Sequence, residues 1–245
     1  MAVYILFDTE TTGNKEEDRI IQLGAMIVHS KDKIETVNEL CLAPVPIAIE
    51  AMAVHNITPE MIQNEVTYSQ TLFASLIEEY NHTENFLIAH NINFDLSMLQ
   101  KEGFENHYTL IDTLRCAKHL LPERPNHNLQ YLRYALEIYK IEEKEAQRLG
   151  VTIKAHDAIG DVLVMKLLLS KLVELAKAKE PTQNPMQTLA ALTQTPVMIK
   201  VFKFGKYKDK EIAQVAQEDR NYLQWMRNSM ELDEDMLYTL DSYLK

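Results

Sequence analysis

The start of the chain alternates between apolar runs and short polar turns. Apolar runs occupy residues 3–7 and 20–28, and a third, half-apolar stretch covers residues 35–42. The polar sequence SKDK at 30–33 separates the second stretch from the third. Short apolar runs bounded by polar residues are typical of strands, so we predict a three-stranded meander at this end of the chain.

Farther along, short apolar runs alternate with segments of helical spacing. Strands are predicted at 86–91 and 108–114, with a helix between them that stops at Gly103. Helices are also predicted over 69–80 and over 157–179. Three strands followed by strands that alternate with helices imply an α/β fold, a mixed five-strand sheet flanked by helices.

A change of composition near residue 180 predicts a second, smaller domain. Residues 179–197 are rich in Pro, Thr and Gln, which indicates a mobile linker between a main domain, 1–178, and a C-terminal module, 198–245. The module begins like a strand, turns at Gly205 and continues as a helix, so we predict a small α+β unit. Residues 198–230 contain seven Lys or Arg against four Asp or Glu, which predicts a basic module in an acidic chain.

Net charge and segment hydropathy narrow the classes of function. A formal charge of −11 argues against broad, nonspecific adhesion to nucleic acid. It does not exclude a nucleic-acid enzyme, because a carboxylate-lined site is negative until cations bind to it. The start of the chain lacks the features of a signal peptide, and no apolar stretch approaches the ~18 residues of a membrane span. We therefore expect a cytoplasmic protein that does not cross a membrane.

Two carboxylates, Asp8 and Glu10, stand at the end of the first apolar run. Side chains two residues apart on a strand point the same way, so this pair would offer ligands to a hard divalent cation. Roughly five acid-x-acid pairs are expected by chance at this composition, so the pair needs partners elsewhere. The candidates are Asp95, directly after the predicted strand 86–91, and Asp161 on the last long helix of the main domain.

Four carboxylates suit two Mg or Mn ions. Such a pair can activate a water on one side of a phosphodiester and stabilise the leaving oxygen on the other. His156 precedes Asp161 by five positions, and five helical residues turn about 140° beyond a full circle. The two side chains would not share a helical face, so we expect His156 in the loop before the helix, where a neutral imidazole can accept the proton of a water.

Three motifs occur in order over most of residues 1–175, namely DTETTG, HNINFD and HDAIGD. Together they resemble the exonuclease motifs of the DEDDh branch of the DnaQ-like 3′-to-5′ exonucleases. The resemblance implies an RNase H-like sheet and His156 as the general base. The metal ligands that it implies are Asp8, Glu10, Asp95 and Asp161.

Residues beside these motifs are candidates for binding the 3′-terminal nucleotide. The segment AVHNIT at 53–58 resembles a family segment in which a histidine approaches the terminal phosphate region. Hydroxyl or backbone groups next to the acid pair could hold the nucleotide, and an aromatic side chain could stack on its base. The predicted substrate-binding residues are Thr9, Thr11, His55, Asn91 and Phe94.

Three other polar residues near the motifs have structural interpretations. Asp157 is interpreted as the cap of the long helix, and Asp112 as a cap or turn residue. His90 fits a packed core histidine as well as it fits a site residue.

The tail FGKYKDKEIAQVAQEDRNYLQWM resembles the small C-terminal module of exonuclease X-like members, which favours DNA as the substrate. The resemblance therefore implies a metal-dependent exodeoxyribonuclease that releases nucleoside monophosphates from single-stranded or duplex 3′ ends in DNA repair or proofreading. In that group a leucine that helps to part a duplex end commonly follows TTG, whereas this chain has Asn14.

Two alternative functions remain open at this point. RNA could be the substrate, as in RNase T-like proteins and oligoribonucleases. The chain could also be a proofreading subunit that docks on a DNA polymerase through residues 180–245. The sequence leaves open whether the protein forms a homodimer.

Overall fold

The computed structural model of the chain describes residues 2–153 and 157–245. It divides the chain into two compact units, with the boundary between Thr193 and Gln194. Within these ranges, every helix is too short or too polar to span a lipid bilayer.

The first unit contains the predicted mixed sheet. Its five strands are β1 Tyr4–Thr11, β2 Ile20–Val28, β3 Ile34–Leu40, β4 Phe86–Ala89 and β5 Thr109–Asp112. They lie in the order β3-β2-β1-β4-β5. Strands β1, β2 and β3 form an antiparallel meander, whereas β4 pairs in parallel with β1 and with β5. The prediction of a five-strand mixed sheet is therefore confirmed.

Helices cover both faces of this sheet. They are α1 Ile49–His55, α2 Pro59–Ile62, α3 Leu72–Glu79, α4 Ile92–Lys101, α5 Thr113–Leu120, α6 Leu129–Ala135, α7 Glu142–Leu149, α8 Ala158–Lys179 and α9 Pro185–Gln194. Side chains of β1 alternate between the two faces, as strand geometry requires. Ile5 and Phe7 enter a core that includes residues of α3 and α4, whereas Leu6 enters a core built largely from α8. The face of Leu6 is also the face of Asp8 and Glu10, so α8 covers the side from which the acid pair projects.

A glycine in the middle of β2 lets α8 approach the sheet at backbone distance. Gly24 pairs with Asp8 across the β1–β2 ladder. A Cβ atom placed on Gly24 would lie 2.3 Å from the carbonyl carbon of Ala158 and 2.4 Å from the amide nitrogen of Ile159. The first turn of α8 therefore rests directly on the strand beside Asp8. Asp161 lies in this first turn.

The predicted linker at 179–197 is wrong over most of its length. Residues Pro185–Gln194 form α9, and Leu189 is fully buried in the core beneath α8. The hydroxyl of Thr193 accepts a hydrogen bond of 2.9 Å from the backbone N–H of Asp112. Proline and threonine indicated a loop, yet proline suits the first turn of a helix and threonine here bonds to a strand end.

The C-terminal unit is helical where an α+β module was predicted. Only a single isolated bridge, Val201 to Glu211, stands in place of the predicted strand among the described residues. Phe202 is fully buried and anchors the small apolar core that the helices share. The helices are α10 Ile212–Glu218, α11 Arg220–Ser229 and α12 Glu234–Leu244.

The description of residues 198–245 as a basic module is also wrong. Residues 231–245 add five acidic residues and one lysine, so the lysine excess does not extend through the module. Four of the five lysines between 200 and 210 lie in the short loop that follows Phe202. The positive charge is therefore a local property of this loop and its surroundings.

We expect Gly24→Ala to damage the first unit by forcing α8 away from β2. Both close contacts of the added methyl group are to backbone atoms, so relief requires a shift of the helix, and overpacking of this kind costs about 1–3 kcal/mol or more. Urea unfolding measures the loss. Gly103→Ala is the control, because its φ of 93° imposes strain while its Cβ would meet nothing within 4 Å. Equal losses in the two variants would contradict the steric argument.

Candidate active site

Three of the predicted carboxylates lie together at the end of β1. One oxygen each of Asp8, Glu10 and Asp161 lies within 4.8 Å of the others. Asp8 and Glu10 share a strand face through their spacing of two, and Asp161 reaches them from the first turn of α8. All three side chains are partly buried. Such a set of oxygens is suited to a hard divalent cation.

The fourth carboxylate, Asp95, is held against β1 by hydrogen bonds from Thr9. Strand β4 ends at Ala89, so it cannot supply an acceptor for the backbone of β1 at Thr9. The Oδ1 atom of Asp95 accepts hydrogen bonds from both the amide N–H of Thr9, at 3.1 Å, and its hydroxyl, at 2.8 Å. Asp95 thus continues the hydrogen bonding of the sheet from the first turn of α4. Thr9 and Asp95 are both buried, and these bonds satisfy their polar groups there.

The site concentrates negative charge away from water. Burial raises the pKa of Asp8 well above its usual range, and the charges of Asp95, Asp161 and Glu10 raise it further. Burial, and then the neighbouring Asp161, raise the pKa of Glu10 to about 8. Burial raises the pKa of Asp95 to about 7, although the hydrogen bonds from Thr9 oppose this. Carboxylates in such surroundings bind protons unless a cation compensates their charge, so this donor set fits divalent metal ions.

Gln130 on α6 orients the carboxylate of Asp161. Its Nε2 atom donates a hydrogen bond of 2.8 Å to Oδ1 of Asp161. Its Oε1 atom accepts a hydrogen bond of 3.1 Å from Arg133. Because a guanidinium can only donate, the amide atom facing Arg133 must be the oxygen and the one facing Asp161 the nitrogen. Arg133 is in turn paired with the buried Glu142 through its Nε and Nη2 atoms. Hydrogen bonds thus connect four side chains in sequence, from Glu142 through Arg133 and Gln130 to Asp161.

Gln22 anchors the start of α8 from the neighbouring strand. Its Nε2 atom donates to Oδ1 of Asp157 at 2.8 Å, and its Oε1 atom accepts from the amide N–H of Ala158 at 3.4 Å. Asp157 occupies the N-cap position of α8 as predicted, but its carboxylate makes no capping bond within the helix. His156, the predicted general base, lies outside the described residues.

A cleft of about 570 Å³ adjoins the carboxylates and contains most of the predicted substrate-binding residues. Glu10 lines it together with four of the five. Its wall also includes Val54 of α1, which is half exposed. The cleft is thus acidic beside Glu10 and partly apolar elsewhere. The four predicted residues are Thr9, Thr11, His55 and Phe94.

The polar groups of two of these residues are already bonded to the protein. The Nδ1 atom of His55 accepts from the amide N–H of Ile57 at 2.9 Å, so its Nε2 atom bears the proton that is donated to the carbonyl oxygen of Thr11, at 3.2 Å. Burial lowers the pKa of His55, which agrees with this neutral form. The hydroxyl of Thr11 donates to the carbonyl oxygen of Gly13 at 2.7 Å. These bonds set the shape of the cleft wall, and contact with a substrate stays a prediction.

Asn91 lies apart from the residues that line the cleft. Its backbone is left-handed, with φ 78°, and its N–H donates to Oδ1 of Asp112 at 3.0 Å. Asp112 also accepts from Leu114 at the start of α5, which confirms its interpretation as a cap. The ring nitrogens of His90 contact Thr113 and a backbone carbonyl, and burial lowers its pKa to about 4. His90 is therefore a packed, neutral histidine.

Sequence reasoning missed three residues that support the site, namely Gly24, Gln22 and Gln130. A glycine within the strand run IIQLGAMIV does carry a signal, because strand glycines often mark a close backbone approach. Gln22 carries a weaker signal, as a polar residue in the same apolar run. Gln130 is one of many glutamines in predicted helices, and nothing in its local sequence singles it out.

Two family models match parts of the chain. Residues 5–169 match the family model described as "Exonuclease". Residues 202–229 match a second model, described as "Exodeoxyribonuclease X-like C-terminal". The first match includes Asp8, Glu10, Asp95 and Asp161, and the second lies within the C-terminal unit.

Similar proteins include bacterial nucleases and polymerase subunits. The chain is 27% identical over 241 residues to exodeoxyribonuclease 10 of Escherichia coli K12, which covers 98% of each protein. It is 28% identical over 197 residues to the epsilon subunit of DNA polymerase III of Treponema pallidum, covering 76% of this chain and 83% of the subunit.

Solved structures share the fold over about three quarters of the chain. Exonuclease X in complex with 5′-overhanging duplex DNA superposes with a TM-score of 0.54 and 21% identity, over 78% of this chain and 99% of that one. Escherichia coli exonuclease I bound to a dA16 oligonucleotide gives a TM-score of 0.52 and 17% identity, over 74% and 42%. The predicted RNase H-like fold is therefore confirmed. With a family match over most of its length, this chain belongs to the DnaQ-like family of 3′-to-5′ exonucleases, as an exonuclease X-like member with a C-terminal module.

Proposed function

We propose that this chain is a metal-dependent 3′-to-5′ exodeoxyribonuclease that releases nucleoside monophosphates from DNA. The observation that supports this best is the set of three carboxylates within 4.8 Å, one of which, Glu10, also lines the adjoining cleft. The cleft holds one terminal nucleotide, and the carboxylates act at the phosphodiester next to it. DNA is favoured because a relative that matches nearly the whole chain is named exodeoxyribonuclease.

The ligands of the metal site are the four predicted carboxylates, Asp8, Glu10, Asp95 and Asp161. Two Mg or Mn ions bound there supply charge neutralisation at the phosphate and a more acidic water. Burial and mutual repulsion raise the pKa of Asp8 and Glu10 and so oppose their ionisation, which the charge of bound cations would favour. Gln130 and Thr9 hold the oxygens of Asp161 and Asp95 in place before ions arrive.

His156 is proposed as the general base that takes the proton of the attacking water. This role rests on the resemblance of HDAIGD to the family motif and on the spacing of five residues to Asp161. Asp157, the next residue, is bonded to Gln22 of β2 and contributes to raising the pKa of both Asp8 and Glu10. The chain that follows His156 is therefore anchored beside the carboxylates.

The remaining groups of the cleft bind the terminal nucleotide. Phe94 is 36% exposed at the wall and offers a flat face for a base. Thr9 and Thr11 line the cleft beside Glu10, close to where the reacting phosphate must lie. His55 acts by holding the carbonyl of Thr11 rather than by donating to substrate, since both ring nitrogens are occupied.

A second function is favoured by one comparison. The similarity to the epsilon subunit of a DNA polymerase III covers 83% of that subunit, so this chain could serve a polymerase as its proofreading partner. Full activity of the isolated chain, with no polymerase recovered from cell extract by the tagged protein, would count against this function.

We expect the purified chain to shorten 5′-labelled DNA stepwise from its 3′ end with Mg or Mn, and Asp8→Asn to lower the rate at least about a thousandfold. Matched DNA and RNA oligomers, single-stranded and in duplexes, report polarity, sugar preference and end preference on gels. The exposed Asp32 provides the control, because it lies in the turn between β2 and β3, at the end of the sheet away from Glu10, so Asp32→Asn should retain activity. An active Asp8→Asn variant would contradict the metal assignment, and faster cleavage of RNA would contradict the choice of DNA.

The raised pKa of Glu10 predicts that the metal-free protein loses stability as the pH rises. The folded protein favours the protonated carboxyl, so this stabilisation is complete below pH 4.5 and is lost as the pH rises through about 8. In EDTA, the free energy of unfolding of Glu10→Gln, relative to that of the wild type, should therefore rise by about 1–3 kcal/mol as the pH is raised from 5 to 8.5. Urea unfolding at several pH values measures this gain. Parallel pH profiles for the two proteins would contradict it, and Mg should stabilise the wild type more than the variant.

Gln130→Ala is expected to weaken metal binding about 10- to 100-fold, because the carboxylate of Asp161 loses a hydrogen bond that helps to orient it. The Mg concentration that gives half-maximal activity should rise, while the rate at saturating Mg largely recovers. Gln147→Ala, at an exposed position on α7, is the control and should leave both quantities unchanged. A lower rate with no change in Mg dependence would contradict the positioning role.

A further inference from the structure

A tightly bonded loop in the C-terminal unit presents several lysines. Phe202 is fully buried, and its N–H donates to the carbonyl of Lys210 at 3.0 Å, while the N–H of Asp209 donates to the carbonyl of Phe202 at 2.8 Å. Gly205 has φ 76°, and a Cβ atom there would lie 2.6 Å from the hydroxyl of Tyr222. The loop is therefore closed at its base and packed against an aromatic ring.

Three aromatic rings lie in a row beside this loop. The ring centroids of Tyr207 and Tyr222 are 4.9 Å apart in an edge-to-face arrangement. Tyr222 and Trp225 are 5.6 Å apart at 36°. Trp225 is 52% exposed, and Phe204, in the loop itself, is 41% exposed. Trp225 and Phe204 therefore offer aromatic surface to a ligand, whereas Tyr207 and Tyr222 are half-buried.

Two ammonium groups lie over these rings. The Nζ atom of Lys206 is 4.6 Å from the ring centroid of Tyr207 and 5.9 Å from that of Tyr222. The Nζ atom of Lys210 is 5.5 Å from the ring of Tyr207. Asp219 also pairs with Lys206 at 3.1 Å and accepts from the hydroxyl of Tyr207 at 2.8 Å. We name the five residues Lys206, Tyr207, Lys210, Tyr222 and Trp225 the basic aromatic patch.

We propose that the basic aromatic patch binds single-stranded DNA. An unpaired base can stack on the exposed ring of Trp225, while the ammonium groups of Lys206 and Lys210, which lie over the neighbouring tyrosine rings, can bind phosphates. The chain as a whole carries −11, so positive charge held on aromatic rings is a local feature that suits a polyanion. The choice of DNA over RNA rests on the proposed function, whereas the preference for single strands follows from stacking.

Trp225 is the single tryptophan of the chain, so its fluorescence reports directly on the patch. The experiment uses the full-length Asp8→Asn protein in EDTA, which prevents cleavage, titrated with a 20-residue oligothymidylate at several salt concentrations. We expect saturable quenching of the emission and an affinity that falls as salt rises. Binding of the oligomer with no change in tryptophan emission would overturn the proposal.

Substitutions in the patch provide the second measurement, read from the anisotropy of a 5′-labelled oligomer. Lys206→Gln combined with Lys210→Gln should reduce the salt slope by about 1.4, because each phosphate contact to a single strand contributes about 0.7. Trp225→Ala should weaken binding about tenfold.

Arg227→Gln is the matched control for charge. Arg227 is on the same helix as Trp225 but lies about 200° around it, and it pairs with Asp241 of α12 at 2.7 Å. This variant should bind like the parent protein. Equal effects of the patch and control variants, or none in either, would overturn the proposal and assign the patch to another partner such as a protein.

Failure of this proposal is distinguishable from failure of the proposed function. Patch variants made in the otherwise unaltered chain should still cleave short oligomers if the exonuclease assignment holds. If these variants cleave normally and also bind DNA as tightly as the unaltered chain, only the proposal for the patch is contradicted. If the unaltered chain cleaves no oligomer while DNA still quenches its tryptophan emission, only the nuclease assignment is contradicted.

Discussion

The backbone contact between Gly24 and the first turn of α8 is the constraint on which the site depends. Asp8 and Gly24 are partners across the β1–β2 ladder, so a helix that rests on the glycine necessarily starts beside the carboxylate. Asp161 lies in that first turn and reaches Asp8 and Glu10 to within 4.8 Å. Any side chain at position 24 would push apart the two halves of the ligand set, although it would lie outside the site itself.

Bringing these carboxylates together makes them repel one another, which destabilises the metal-free protein when they are ionised. Desolvation and neighbouring charges raise the pKa of Asp8, Glu10 and Asp95, which opposes their ionisation in the metal-free protein. The surrounding polar groups stabilise the arrangement without neutralising it, since Thr9 donates to Asp95 and Gln130 donates to Asp161. A site built in this way is prepared for cations, and its stability is coupled to pH and to metal concentration.

The two units divide chemistry and charge between them. The first unit concentrates carboxylates at a strand end, where they suit cations and, through them, phosphates. The second contains lysines on aromatic rings, which suit phosphates and bases directly. A chain with a net charge of −11 can thus act on a polyanion, because the net charge does not describe the local charge, which is negative at the carboxylates and positive at the lysines.

The sequence by itself determined the elements whose cause is local. Apolar runs predicted the five strands, the spacing of two put Asp8 and Glu10 on one strand face, and ordered motifs indicated Asp95 and Asp161. Local patterns misjudged residues 179–197, because the burial of α9 depends on a core assembled from distant segments. Only the tertiary structure decided which oxygens converge, which tautomer His55 adopts and that Gln130 faces Asp161. Those distances follow from how helices pack on the sheet, which no local periodicity encodes.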